Sequence, residues 1–443
     1  MSTEIILCPR PFARYSGRLL LLPLLPHRPR LKPLPAEVWS KIFAQVLTAD
    51  ISLSSTQTFR SWPSLLLVCK CFKEVAMPLF YSHVQIRTTH SLDKFTSLLR
   101  SADQKWDSIR RIPYSAPGRW VQALDLTRLP STLGCHEAFN LDSLLTQLFP
   151  LLPFLARLSL CPGLCLSRRA LASLTNRSEN SNLRVLEGLN YEPSFTSQFA
   201  TAEDPVVQLL ATCSSLERLE VIGVGLDSVD IEFPDPPEGA HLPLQTAKLD
   251  LRRLHTLTLL SMPSSSLMFA LLDTPLPSLR KLIITPYDDL PYPASLVSRF
   301  LDCHGSSLLS LLFFTPKSWP TRLRPSPPTI LHTSPSLRHL SLEYPLPVLL
   351  LPAGDSSPSH SLPLEILSIP RPSGDFWRTL EKLLPQLPSL KVVRTRDVRW
   401  LRRGMTNRAQ EAGVQGEMRD WRRRLARRGI RLLDGDWKET PLV

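Results

Sequence analysis

Glycine is scarce in this chain, 16 residues of 443, which excludes collagen-like repeats and flexible glycine linkers. Long apolar runs are missing too. RLLLLPLLP at 18–26 is broken by Pro23 and Pro26 and falls far short of a membrane span. No small-residue cleavage site follows before His27, Arg28 and Arg30, which argues against a secretory leader. The eight cysteines (Cys8, Cys69, Cys71, Cys135, Cys161, Cys165, Cys213 and Cys303) form no recognisable framework. Cys161-x-x-x-Cys165, for example, lacks a second pair at zinc-finger spacing. These absences predict a soluble protein with reduced thiols, resident in the cytoplasm and/or nucleus.

Catalytic signatures are also lacking. The chain has no G-x-S-x-G, no H-E-x-x-H, no phosphate-cradling G-x-x-x-x-G-K-[ST] and no dinucleotide fingerprint. His304, His332 and His339 have no cysteine nucleophile nearby in sequence and read as surface or turn residues rather than bases. Asp204 and Asp288-Asp289 fall in proline-rich loops without a calcium-loop glycine. No catalytic residue, metal ligand or cofactor is therefore predicted, and the chain reads as a non-enzyme.

What is abundant is proline, at 43 residues, together with 43% hydrophobic residues. That is enough apolar material for a packed core, divided into many short elements by rigid turns. At this length the chain exceeds one ordinary domain unless it is a repeat array, whose core grows along one axis. The net charge of +13 is unevenly spread. Residues 1–33 carry +5, residues 394–431 carry +9 and residues 432–443 carry −2, leaving +1 for residues 34–393. The body is near neutral, so the overall basicity does not predict nucleic-acid or membrane binding.

Two helical segments open the body. Pro35 suits a first helical position, and Glu37 suits a helix N-terminus and lies four residues before Lys41. Val38, Trp39, Ile42, Phe43 and Val46 then give one wide apolar face. After a polar loop, Trp62-Pro63-Ser64 restarts the chain with Ser64 as N-cap for LLLVCKCFKEVA, and Pro78 is expected to end that helix. Val84 and Ile86 alternate like a short strand. Leu34, Pro35, Glu37, Val38, Ile42 and Phe43, followed by Leu67, Val68, Cys69, Lys70, Phe72 and Ala76, resemble the F-box in identity and order. The PLFYSHVQI that follows is similar to fungal, mushroom-type members. The resemblance covers residues 33–86. It departs from the family in a long interhelical loop and in Cys71-Phe72 where a tryptophan is usual. It implies a module that docks a Skp-type adaptor and, through it, a cullin. The implied contact residues are Leu34, Pro35, Glu37, Val38, Ile42, Phe43, Leu67, Val68, Cys69, Lys70 and Phe72.

The rest of the body repeats one six-residue motif, apolar-x-x-apolar-x-apolar. It appears as VQALDL (121), LARLSL (155), LRVLEG (183), LERLEV (216) and LHTLTL (254). It returns as LRKLII (279), LLSLLF (308), LRHLSL (337), LEILSI (364) and LKVVRT (390). The spacing reaches and exceeds the upper range of leucine-rich repeats, with the first, fourth and sixth residues expected to point inward. Helices are expected at 141–149, 206–213, 295–303 and 376–387, and LP, SP or SS pairs punctuate helix to strand. The asparagine expected after each strand is mostly absent, and long loops fall at 234–243 and 352–363.

Near the C-terminus, Val414, Met418, Trp421 and Leu425 form an apolar stripe among arginines, ended by Gly429. A capping helix, a surface for an acidic partner, and nucleic-acid or membrane binding all remain open for it; the RGIRLLDGDW ending resembles the tails of mushroom F-box proteins. Ile430, Leu432 and Leu433 suggest a last strand.

The predicted fold is an α/β solenoid: a small helical F-box module, an irregular leucine-rich-repeat horseshoe and a C-terminal capping helix. The predicted divisions are a disordered Pro/Arg-rich segment 1–32, an F-box domain 33–86, a helical linker 87–120, repeats 121–396 and a basic cap 397–443. The predicted function is the substrate-recognition subunit of an SCF-type ubiquitin ligase, with an unknown protein target on the repeats. An F-box scaffold without a delivered substrate, or a leucine-rich interaction protein without a ligase role, is the alternative.

Overall fold

The computed structural model describes residues 34–52, 66–104, 117–130, 134–161, 163–176, 182–192, 204–223, 248–262, 265–286, 295–316, 327, 329–344, 346–347, 349–350, 362–400 and 413–439. The expected disordered segment 1–32, Ser64, the loop 234–243, Asp288-Asp289 and most of the loop 352–363 lie outside these residues. The chain divides into two compact units, residues 1–80 and 81–443.

In the first unit, α1 (Ala36–Ser52) and most of α2 (Lys70–Ser82) supply the helical pair. Cys69 caps α2 by accepting a hydrogen bond on Sγ from the Phe72 N–H at 3.4 Å. Pro78 does not end this helix but sits inside it. A proline there forfeits one helical hydrogen bond and strains the preceding turn, costing on the order of 3 kcal/mol. Val75, Ala76 and Leu79 pack on both sides of it into the unit's core, which offsets that cost. Glu37 and Lys41 are both exposed and form no ion pair.

The second unit is one sheet of twelve parallel strands in sequence order. They are β1 (His83–Gln85), β2 (Ala123–Asp125), β3 (Arg157–Ser159), β4 (Val185–Tyr191), β5 (Arg218–Gly223) and β6 (Thr256–Leu260). The others are β7 (Lys281–Ile284), β8 (Ser310–Phe313), β9 (His339–Ser341), β10 (Ile366–Ile369), β11 (Val392–Thr395) and β12 (Arg431–Leu433). Every six-residue motif becomes a strand that begins at its third residue. The sheet is open, and the architecture is that of a solenoid-like α/β repeat.

The register explains why this motif recurs. Leu124, Leu158, Leu186, Leu219, Leu257, Leu282, Leu311, Leu340, Leu367, Val393 and Leu432 are successive partners, giving one unbroken apolar row at the fourth position. First-position residues such as Leu155, Leu216 and Leu308, and sixth-position ones such as Leu259 and Phe313, are fully buried beside it. Parallel strands need such cover from crossovers. From β2 to β11 the second-position carbonyl of each motif accepts two N–H groups of the next; Gln122 O takes Ala156 at 2.7 Å and Arg157 at 2.9 Å. Before most strands a tight turn closes with the first residue's N–H donating three residues back, as Leu279 to Leu276 at 3.2 Å. Pro277 sits second in that turn, where its fixed φ is favourable, and Pro153, Pro335 and Pro388 recur in the same place.

One copy of the motif is defective. LRVLEG puts Gly188 in the sixth position, where no side chain can fill the row. Gly188 takes φ +72°, the register slips, and Leu189 pairs with Val221 in its place. The slip is a bulge that restores the apolar row at the cost of one extra residue.

Crossover helices cover one face of the sheet. They are α3 (Thr89–Gln104), the short α4 (Pro117–Trp120), α5 (Cys135–Leu148), α6 (Arg168–Thr175), α7 (Pro205–Thr212) and α8 (Ser266–Asp273). They continue with α9 (Leu296–His304), α10 (Ile330–Thr333), α11 (Gly374–Leu383) and α12 (Gly413–Ala426). Side-chain oxygens of Ser167, Asp204, Ser265 and Ser295 cap α6, α7, α8 and α9. No helix among the described residues is long and apolar enough to cross a membrane.

The stripe on α12 turns inward. Met418, Trp421 and Leu425 are buried, and the Trp421 ring meets Trp377 of α11 edge-on at 5.0 Å. Arg424 lies over the Trp377 ring at 5.3 Å, so one of the tail's arginines is held by an aromatic face. Gly429, at φ +73°, ends the segment while the Ile430 N–H returns to Leu425 O at 3.1 Å.

Candidate functional site

Two surfaces carry residues that the fold leaves unsatisfied, one on each unit. On the first unit, α1 is divided lengthwise. Trp39 and Phe43 turn toward α2, where Phe72 meets them at 4.7 Å and 5.2 Å between ring centroids. With Ala76, Leu66, Val75 and Leu79 they form a small internal core. On another line of the same helix, Val38, Ile42 and Val46 recur every four residues and remain 39%, 37% and 45% exposed, and Leu34, just before the helix, keeps that spacing and is 46% exposed. Leu67 and Val68, in the turn before α2, are 84% and 61% exposed. Apolar side chains at that spacing on a helix form one continuous stripe.

The eleven residues expected to meet an adaptor therefore divide by environment. Leu34, Val38, Ile42, Leu67 and Val68 are apolar and open to solvent; Pro35, Glu37, Cys69 and Lys70 are also exposed. Phe43 is buried and Phe72 half-buried, and both build the core between the helices rather than the open stripe. Val46 belongs to the stripe by position, and its i, i+4 relation to Ile42 was the signal for it.

On the second unit, the sheet face away from the helices carries the third and fifth motif residues. A hollow of about 560 Å³ lies over it between β4 and β11. Read across the strands, the fifth-position column changes chemistry in order. Glu187 and Glu220 stand at one end, Thr258 follows, then Ile283 and Leu312, then Ser341, Ser368 and Arg394. Phe314, 46% exposed, widens the apolar middle.

The acidic end is partly compensated. Glu187 accepts from Arg218 at 3.0 Å and from the Ser159 hydroxyl at 3.0 Å. Burial, and then the charge of Glu187, push the Glu220 carboxyl above the usual carboxylate range.

At the other end, Arg396 donates from Nη1 to Phe313 O at 3.1 Å and from Nη2 to Leu342 O at 2.9 Å and Glu343 Oε2 at 2.8 Å. On a flat sheet β8 and β11 would be about 14 Å apart, so this reach requires the face to be concave here. Arg394 lies over the Trp437 ring at 4.3 Å and donates to Gly435 O at 2.6 Å. His339 pairs its Nε2 with the Ser368 hydroxyl at 3.1 Å. Burial, with Arg394 and Lys281 beside it, holds the imidazole down at about 4, so it is neutral near pH 7.

Of the three histidines read as surface or turn residues, only His332 is exposed. His304 is buried at the end of α9, and His339 lines the hollow. Among the described residues, no group of His, Cys, Asp and Glu is placed to hold a metal ion. Cys69, Cys71, Cys161, Cys165, Cys213 and Cys303 are free thiols.

No protein-family model and no curated protein matches the chain. Among solved structures, a Bacteroides fragilis protein is similar at 10% identity and a TM-score of 0.29, covering 78% of this chain and 74% of its own. A chain of the yeast Rad7 and Elc1 complex is similar at 12% identity and a TM-score of 0.32, covering 84% of this chain and 91% of its own.

Proposed function

We propose that this chain is a substrate receptor of an SCF-type ubiquitin ligase in the cytoplasm and/or nucleus. Its first unit docks a Skp-type adaptor, and through it a cullin, while the concave sheet face holds a target protein. The observation that carries the reading is the outward stripe Leu34–Val38–Ile42–Val46 with Leu67 and Val68 beside it. The helical pair spends Trp39, Phe43 and Phe72 on its own core and leaves a second apolar line open. On this reading the open line is the docking face: Leu34, Val38, Ile42, Leu67 and Val68 match the F-box pattern, and Val46 joins them by position. The α12 segment serves as the cap of the repeat array, since its apolar stripe covers Trp377 beside the last strands.

The chain performs no chemistry in this role. It contributes by holding a target close to a ubiquitin-charged enzyme, converting an encounter into an effectively intramolecular step. Co-expression of the tagged chain with a Skp-type adaptor and cullin tests the reading. A stoichiometric complex is expected, and proteins captured by the repeats should accumulate when the proteasome is inhibited. Failure of the wild-type chain to capture the adaptor overturns it. Capture of the adaptor with no protein stabilised by proteasome inhibition makes the chain a scaffold instead.

A further inference from the structure

Resting on the reading that the concave face receives the target, the donor cluster at its C-terminal end points to what the target presents there. Three polar groups in this part of the hollow are buried and have no hydrogen-bond partner: Ser341 Oγ, Arg394 Nε and Arg396 Nε. Ser341 is only 3% exposed, and Arg396 has 16% of its side chain exposed. A guanidinium N–H can only donate, and these two Nε–H groups have no acceptor among the described residues. Leaving such donors unpaired is costly, and a bound oxygen ligand removes the cost.

Charge limits the kind of acceptor. Glu343 pairs with Arg396, and Asp434 and Asp436 attract Arg394, but none of these three carboxylates lines the hollow, whose lining at this end carries Lys281, Arg394 and Arg396. An anion is the acceptor that this cationic lining favours. The neighbouring column narrows the choice further: Ser341 is the register partner of Leu312, which is the partner of Ile283, and Phe314 adds to that apolar surface. Strands lie about 4.8 Å apart, and alternate residues of an extended peptide about 6.6 Å apart. An anion on the cluster and an apolar side chain on Leu312 therefore fit close neighbours on one peptide.

We infer that the Ser341–Arg394–Arg396 cluster binds the carboxylate of an Asp or Glu in an extended segment of the target, whose neighbouring apolar side chain rests on Ile283, Leu312 and Phe314.

The test is selection of a random heptapeptide phage library on the purified full chain. The selected peptides are then measured by fluorescence anisotropy with each acidic residue present or replaced by its amide. Enrichment of Asp or Glu beside an apolar residue is expected, and the amide version should bind about tenfold more weakly or worse. Arg394→Gln should remove that difference and Ser341→Ala should reduce it several-fold, with circular dichroism confirming the fold. Arg423→Gln with Arg427→Gln, on the basic tail, should leave it unchanged. The inference is overturned if no acidic enrichment occurs, if acid and amide bind alike, or if only the tail variant weakens binding. A phosphoserine peptide binding more than tenfold tighter than its Glu counterpart overturns the carboxylate assignment in favour of phosphate. Adaptor capture is scored on the same preparations. Its absence overturns the receptor reading and leaves the peptide result standing, whereas loss of acid discrimination with capture intact overturns only the present inference.

Discussion

Replacing Val38 and Ile42 together by glutamate separates docking from folding on the first unit. Fully burying a Val, Leu or Ile side chain is worth about 1.5–3 kcal/mol. Leu34, Val38, Ile42 and Val46 each keep roughly four-tenths of their surface open. Covering that remainder gains about 0.6–1.2 kcal/mol per residue, or about 2.5–5 kcal/mol for the stripe. The double substitution removes half of this and brings two unpaired carboxylates into an apolar contact, each costing at least about 1–3 kcal/mol. A total loss beyond about 3 kcal/mol weakens adaptor binding more than 100-fold. Glutamate is a good helix former and these positions face water, so helicity and melting temperature should change little. Phe43→Ala is the contrasting variant: it empties the core between α1 and α2, costs about 3–5 kcal/mol and should lose binding together with helicity. Biolayer interferometry against an immobilised Skp-type adaptor, with circular dichroism of each variant, reads both effects. Binding of the double variant within threefold of wild type would refute the assignment of the stripe.

Three further outcomes follow from the second unit. Leu311→Ala, in the middle of the fourth-position row, should lower stability by about 2–5 kcal/mol in urea titrations, and a loss below 1 kcal/mol would contradict the packing described. Gly188→Ala forces a left-handed conformation on alanine and drives its Cβ to 2.5 Å from Leu160 O. Gly429→Ala meets only the conformational strain of about 1–2 kcal/mol, since nothing lies within 4 Å of its Cβ. The first should therefore melt well below the second. His339, held at about 4 against an ordinary 6.5, takes up its proton more readily in the unfolded chain. Its contribution is complete above about pH 6.5 and is lost as pH falls toward 4. Thermal melts should decline over that window, and His339→Gln should flatten the decline.

Much of the repeat array was legible because parallel strands covered on one face must repeat their buried residues. The first, fourth and sixth positions of each motif are buried as the spacing implies, down to Thr395, whose hydroxyl is satisfied by Leu433 O at 3.2 Å. Helix α10 was hidden because four residues are too few for a period to show, whereas α6 and α8, eight residues each like the expected α7, were legible only at their N-caps. Ser167 and Ser265 were the available cap signals. Pro78 misled because a local steric rule was applied where packing on both sides outweighs it. Gly188 made its copy look weak, yet a glycine in a sixth position is itself the mark of a bulge.

The division of α1 into an inner and an outer line was partly visible as a face too wide for one partner. Which residues fell on which line was not, because Trp39–Phe43 and Val38–Ile42 share the same i, i+4 spacing. The donor cluster was hidden most deeply. Arg396 and Phe313 O are 83 residues apart in sequence, and only the register aligns Ser341, Ser368 and Arg394. Reading the fifth position of successive motifs as a column would have revealed it.

The reach of Arg396 also bears on mechanics. A parallel array of this kind can open or tighten by small rotations at every rung, and backbone hydrogen bonds resist such bending weakly. Arg396 joins the end of β11 to the ends of β8 and β9 through one guanidinium, so it works as a chord across the arc. It fixes how tightly this third of the array is wound and thereby the width of the hollow. Nearer β1 the cross-links reach over fewer strands: Ser159 and Arg218 meet on Glu187 across β3 to β5, and Tyr191 of β4 and Ser266 at the start of α8 meet on Asp204. The face is thus graded in the span of its cross-links as well as in charge, with the widest span where the arginines sit.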